Sequence, residues 1–336
     1  MTVIGERSRI RKMDWRRWLR RHGWTVAAWA LLLALIGFYA TLIPRFGAFQ
    51  ISSIAKNSLP LVYLSVAQAV IVIAGGIDLS VGAMLVLTNS IAAQLMVGQS
   101  FPITLIIALG VILLAAGING GVGWIISISR VPDIVVTLAT SFILSGVALL
   151  VLPSPGGGTS EGFRAMFTGS ATGSGTNFWP SLVVMAIPVG LLAFWMRRSR
   201  TGLSLYATGS DPTAAYLSAV RTARAKVVSY AVGGAFAALG GLSALAITGS
   251  GESRLSTGAG FTLRSVAAIV LGGVALTGGV GSVVGAAAAG IVLFTLSPVL
   301  SAMGIDPNTA QVIQGALIVV VMMVAGIVEV RRQRSE

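Results

Sequence analysis

Residues 58–97 read SLPLVYLSVAQAVIVIAGGIDLSVGAMLVLTNSIAAQLMV, and the only charged side chain in the stretch is Asp78. Apolar runs at 58–75 and 80–97 flank a Gly-Gly-Ile-Asp-Leu-Ser interruption, and each approaches the roughly twenty residues that a membrane-crossing helix needs. The rest of the chain has the same character. Of its 336 residues, 55% are hydrophobic and only 10% are charged, against about 25% charged in an ordinary soluble domain. Two soluble domains, the usual prior at this length, would lack the polar surface to stay in water. The 42 glycines follow no Gly-X-Y period and sit among apolar runs, so neither collagen nor a disordered linker fits. Cysteine is absent, which excludes disulfides, thiolate metal sites and cysteine nucleophiles. His22 is the one histidine and lies in a basic tail, so His-based triads and His-rich metal sites are excluded too. The fold class is all-α, a polytopic membrane protein.

Outward from the opening stretch, further candidate spans are 24–43, 102–127, 134–152, 178–196, 227–248, 263–278, 280–303 and 309–329, making ten in all. The first is read as an uncleaved span, its apolar core being longer than that of a signal peptide. Pro153-Ser154-Pro155-Gly156-Gly157-Gly158 opens a Gly/Ser/Thr-rich loop that runs to Asn177 and is expected to be non-helical. Arg197-Arg198-Ser199-Arg200 ends the sixth span with charges that hydrocarbon rejects, and Arg331-Arg332-Gln333-Arg334 closes the last. The expected organisation is a basic tail (1–23), one transmembrane domain (24–329) and a short tail (330–336). Loop 197–226 falls on one side of the membrane and loop 153–177 on the other.

The net charge of +13 suggests either nucleic acid or the cytoplasmic Lys/Arg bias of membrane proteins. Position decides between them. With ten spans, Arg7, Arg9, Arg11, Lys12, Arg16, Arg17, Arg20, Arg21, Arg130, Arg197, Arg198, Arg200, Arg221, Arg224, Lys226, Arg331, Arg332 and Arg334 fall on the side of the termini. Only Arg45, Lys56, Arg164, Arg254 and Arg264 fall opposite. The charge therefore reports orientation, with both termini cytoplasmic, and no nucleic-acid partner is expected.

The Gly-rich interruptions at 75–82 and 272–282 leave two readings open: tight cytoplasmic turns, or broken helices at membrane depth. Gly75-Gly76-Ile77-Asp78-Leu79-Ser80 resembles Gly272-Gly273-Val274-Ala275-Leu276-Thr277, a hint of duplication. Asp78 is either a cation or proton site or a cap for the helix that starts near Ser80. The polar residues inside spans are Gln68, Asn89, Gln94, Asn119, Thr137, Thr140, Ser141, Gln311 and Gln314. They read as interhelical hydrogen bonds or as the lining of a path for a neutral polar solute. Gly117–Gly121 and Gly285–Gly290 read as close helix packing. In loop 197–226, Ser210 or Asp211 is a good N-cap, Pro212 suits a first turn, and Thr213, Ala214, Ala215 and Leu217 continue a short helix. That helix is either a docking element or a solvated loop helix. No P-loop is present, so nucleotide hydrolysis by that route is not expected of this chain.

Gly75-Gly76-Ile77-Asp78-Leu79-Ser80-Val81-Gly82-Ala83 closely resembles the characteristic motif of the permease subunits of bacterial ATP-binding-cassette sugar importers of the ribose/xylose/arabinose type. Gly117-Ile118-Asn119-Gly120, Val131–Thr140, the segment Thr201–Ser218, and Val270-Leu271-Gly272-Gly273 with Leu276, Gly278-Gly279 and Gly281 are similar to that family's further motifs, in the same order. The resemblance covers roughly 58–325. It implies a bacterial inner-membrane translocation subunit for a monosaccharide, working with a second permease, identical or paralogous, and a periplasmic sugar-binding protein. A cytoplasmic ATPase would carry the ATP and Mg, leaving this chain without a cofactor. It makes Gly209, Ser210, Asp211, Pro212, Thr213, Ala214, Ala215, Leu217 and Ser218 the coupling helix and its flanks. Gly75, Gly76, Asp78, Ser80, Gly82, Gly272, Gly273, Gly278 and Gly279 become hinge residues, and Gln68, Asn89, Asn119, Thr137, Thr140 and Gln311 are candidate path-lining residues. The sequence departs from the family at Asp211, at Ser218-Ala219-Val220, at Thr262 and Arg264, and at Leu296-Ser297-Pro298. The rival reading is an ion-coupled carrier that uses Asp78. A weaker third is a membrane scaffold without transport.

Overall fold

The structure is a computed structural model that describes residues 15–129, 131–173 and 175–333. Arg7, Arg9, Arg11, Lys12, Arg130 and Arg334, all counted in the charge argument, lie outside the described residues. The helices are α1 (Trp15–Leu42), α2 (Ala48–Asn57), α3 (Leu59–Ile73), α4 (Val81–Met96), α5 (Phe101–Ser129), α6 (Asp133–Val151), α7 (Glu161–Thr168), α8 (Trp179–Arg198), α9 (Arg200–Ser210), α10 (Pro212–Leu217), α11 (Thr222–Thr248), α12 (Leu255–Leu271), α13 (Val283–Ala302) and α14 (Pro307–Gln333). No strand occurs among the described residues, only an isolated antiparallel bridge between Gly156 and Gly251.

Among the described residues, six helices are long and apolar enough to cross a membrane: α1 from Gly23, α5, α6, α8, α11 and α13. The α2–α3 pair, bent by 41°, makes a seventh if taken as one span. The candidate spans 58–75, 80–97 and 263–278 correspond to short helices, in keeping with an expectation of about ten spans of which some are short or broken. There α3, α4 and α12 have 15, 16 and 17 residues, a rise of about 22–26 Å against about 30 Å of hydrocarbon. Each is cut short by a glycine-rich break. The expected tenth span falls within α14.

Loop 153–177 also differs from expectation, because it contains α7. Ser160 accepts a hydrogen bond from the Phe163 amide at the helix start, and Gly169 closes the end in the left-handed region. Phe163 and Phe167, one turn apart, are both buried and give the helix an apolar face to pack. A Gly/Ser-rich composition masked this capped, amphipathic turn.

The core centres on α11, which packs against α3, α4 and α5. Glycines permit the approach: a Cβ on Gly123 would press on Tyr230, and one on Gly234 would collide with the carbonyl of Ala115. One end of the bundle gathers Gly75, Gly209, Gly278 and the starts of α6 and α11. The opposite end gathers the Gly156–Gly251 bridge, Arg164 on the carbonyls of Ala246 and Ile247, and Lys56 on the carbonyl of Gly173. Loops 197–226 and 153–177, assigned by charge to opposite sides of a membrane, are thus at opposite ends of the fold.

Candidate functional site

Both glycine-rich breaks begin with the same backbone device. After α3, Gly75 is left-handed (φ 75°), its amide bonds Val72 O at 2.9 Å, and the Gly76 amide bonds Ile71 O at 2.9 Å. After α12, Gly273 is left-handed (φ 80°), its amide bonds Val270 O at 3.0 Å, and the Val274 amide bonds Ile269 O at 2.9 Å. This is the Schellman stop, which favours glycine at the left-handed position. Gly75 is therefore equivalent to Gly273, one residue away from the pairing that residue identity suggests.

Beyond Gly76 the chain turns back into the bundle as an irregular segment before α4 begins. Backbone away from water must be hydrogen-bonded, and with no helix or sheet here, side chains supply the partners. The Ile77 amide donates to the Asp133 carboxylate (3.4 Å), and the Leu79 amide to the Thr137 hydroxyl (3.1 Å). The Tyr230 hydroxyl lies 2.9 Å from Asp133 Oδ2 and 3.1 Å from the Ile77 carbonyl. Asp78, fully buried, accepts from the Ser80 amide at 2.6 Å and from the Ser80 hydroxyl, while its other oxygen accepts from Asn119 Nδ2 at 3.2 Å. No Lys or Arg pairs with it among the described residues. Asp78 thus closes a local turn onto Ser80, the N-cap residue of α4, while α4 itself starts without a side-chain cap. Lys226 bonds Asp133 at 2.7 Å and stands 3.5 Å from the Gly75 carbonyl, so α6 and α11 together grip the first break.

The two breaks meet each other and the end of α9. The Gly279 amide donates to Ile73 O at 2.9 Å. Gly209, in the last turn of α9, fits between them so tightly that a Cβ there would collide with Ile73 O and with the Gly279 amide. Tyr206, one turn earlier, donates to Gly281 O at 3.2 Å. Burial pushes its phenol up from the ordinary tyrosine range, so it remains a neutral donor. Immediately after this wedge, Asp211 caps α10 by accepting from the amides of Thr213 (2.8 Å) and Ala214 (3.0 Å). Tyr216 and Leu217 project from α10 at 70% and 80% exposure, which is unusual for apolar side chains beside such a compact core. Ala219, just after α10, is left-handed (φ 61°), the one described non-glycine residue in that region.

A cavity of about 490 Å³ opens at the opposite end. Leu85, Val86, Phe261 and Phe294 contribute its apolar wall, and Asn57, Asn89 and Glu252 its polar edge. Asn89 lines it, but its amide is committed to Gly241 O (3.1 Å) and the Glu252 amide (2.7 Å).

The candidate residues therefore divide. Asp78, Ser80, Asn119 and Thr137 converge on the first break, where Thr137 serves the backbone. Gly82 meets α12, its amide bonded to Thr262 Oγ1 at 3.1 Å, and Gly272 packs against Gly285. Gln68 is buried with neither amide atom partnered, Thr140 bonds within its own helix, and Gln311 is exposed. Sequence reasoning missed α9, Asp133, Lys226 and Tyr230. The available signal was an acid and a base, each opening an apolar run at the same end of the bundle.

Residues 50–322 match the family described as branched-chain amino acid transport system / permease component. The chain belongs to this family. Among its relatives, the permease is 29% identical over 338 residues to the autoinducer 2 import system permease protein LsrD of Escherichia coli K12, covering 94% of this chain and 96% of that one. It has the same identity and coverage against LsrD of Shigella flexneri. It is 29% identical over 303 residues to the ribose import permease protein RbsC of Escherichia coli K12, covering 87% and 91%. The resemblance to sugar-importer permeases drawn from the Gly75–Ala83 motif is borne out. No solved structure matches the permease.

Proposed function

We propose that this permease forms, with a second identical or paralogous permease, the path through a bacterial inner membrane for a monosaccharide or a similar small polyol. A periplasmic binding protein delivers the solute, and a cytoplasmic ATPase that holds ATP and Mg docks on α10 and supplies the energy. Both termini lie on the ATPase side in this reading, with the chain crossing ten times through long and short helices. The observation that carries it is the contact of Gly209 with both breaks, because the segment a motor would push abuts the two places where the spanning helices are interrupted. The exposed Tyr216 and Leu217, the basic residues at that end and the sugar-importing relatives support it. The test is uptake into liposomes. Labelled ribose should accumulate only when permease, ATPase, binding protein and ATP are all present. Accumulation driven by an ion gradient through the permease alone would overturn the proposal.

A further inference from the structure

A second cavity, of about 410 Å³, lies beside the start of α10. Its wall includes Ser127 at the end of α5, Asp133 at the start of α6, Thr208 in α9, and Thr222, Ala223 and Lys226 in the first turns of α11. Three observations bear on what it takes. The starts of α6 and α11, helices of 19 and 27 residues, line it; the Thr222 amide is bonded to Val220 O at 3.0 Å, but the leading end of a helix still favours negative charge. Thr208 is 4% exposed and its hydroxyl has no hydrogen-bond partner among the described residues. A buried hydroxyl without a partner is costly, and a bound acceptor would relieve that cost. Lys226 brings an ammonium to the wall, bonded to Asp133 at 2.7 Å and more loosely to the Gly75 carbonyl at 3.5 Å.

The surroundings narrow the occupant. Arg197, Arg198, Arg200, Arg221 and Arg224 are all exposed at this end of the fold. A surface that covers α10 must face them, so an acidic partner surface is complementary. Pro212, the first residue of α10, lines the cavity, which places it within the footprint of anything that docks on α10.

We propose that this cavity receives a carboxylate side chain of the ATP-hydrolysing partner, held by the Thr208 hydroxyl and Lys226 at the positive end of α11. This rests on the reading of α10 as the docking helix. The inserted carboxylate competes with Asp133 for Lys226 and so reaches the grip on the first break directly. Docking is thereby sensed at Gly75 as well as at Gly209.

The test is the affinity of the purified ATPase subunit for the permease in nanodiscs, measured across a salt series. Thr208→Val keeps the shape and removes an unpartnered hydroxyl, so a purely structural Thr208 would give unchanged affinity and unchanged or higher thermal stability. The proposal expects affinity to fall about tenfold, the worth of a hydrogen bond to a charged group. Ala223→Trp, at an exposed wall position, fills the cavity and should weaken binding at least as much and flatten the salt dependence. Leu217→Asp is the control for the docking reading. If Leu217→Asp abolishes binding while Thr208→Val and Ala223→Trp bind like the parent, the carboxylate receptor is wrong and α10 docking stands. If Leu217→Asp also binds normally, the docking reading and this proposal fail together.

Discussion

A Cβ placed on Gly75 would stand 3.3 Å from the Cα of Gly209, so the reversal after α3 and the last turn of α9 touch backbone to backbone. Gly278 completes the contact from the second break, where a Cβ would meet the Gly75 Cα at 3.0 Å. Close-packed contacts of this kind transmit displacement because they have no slack to absorb it. A small movement of α9 must move both breaks or separate them.

The grip of α6 and α11 on the first break has a measurable energy. The side chains of Asp133 and Lys226 are 17% and 19% exposed, so removing one partner strands a largely buried charge. Lys226→Met should destabilise the permease by about 2–3 kcal/mol, somewhat below the cost for a fully buried pair. Adding Asp133→Asn should recover part of that loss. Thermal unfolding of the two single variants and the double variant gives the coupling; additive losses would show that the pair does not act as a unit.

Asp78 has its oxygens committed to Ser80 and Asn119. Asp78→Asn should lower stability by about 1–2 kcal/mol through weaker hydrogen bonds. ATP-driven uptake should remain insensitive to collapse of the proton and sodium gradients, in the parent and in this variant alike. A gradient requirement in the parent that the variant removes would instead assign Asp78 to ion coupling.

Ala219 closes α10 with the same amide pattern as Gly75 and Gly273, its amide on Tyr216 O (3.0 Å) and the Val220 amide on Ala215 O (3.0 Å). An L-residue there is strained by about 1 kcal/mol. Ala219→Gly should slow hydrogen exchange at Val220 and raise the melting temperature slightly. Faster exchange would show that the alanine conformation carries no strain.

The docking role proposed for α10 is open to a direct test in the interior of that helix. Proline at Ala215 removes an amide that bonds Asp211 O at 2.9 Å, breaking the first turn. ATPase co-purification with the permease should then be lost, or hydrolysis should continue without uptake. Normal assembly and coupling would contradict the docking role.

Much of this was legible in the residues themselves. The long apolar runs gave the six long spans, and the Arg distribution matches the sorting of loops to two ends of the fold. Asp211-Pro212 marked the start of α10 because capping is local. What was hidden is tertiary. The meeting of Gly75, Gly209 and Gly278 joins residues from three distant parts of the chain, and no local preference encodes it. Thr137 resembled a path-lining residue, yet its hydroxyl serves the backbone of a distant irregular segment. The ends of the short helices α3, α4 and α12 were hidden because apolar composition continues through the breaks. Phe163 and Phe167 were obscured by the glycines around them.

Gly209→Ala tests the central claim most directly, because the added methyl has no room between Ile73 O and the Gly279 amide while the exposed face of α10 is untouched. The measurement is sugar taken up per ATP hydrolysed by the reconstituted importer, with ATPase binding assayed in parallel. The ATPase should still bind, and uptake per ATP should fall by about tenfold or more, given the roughly 1–3 kcal/mol typical of overpacking. Uptake per ATP at the parent level, with the variant folded and the ATPase bound, would contradict the account.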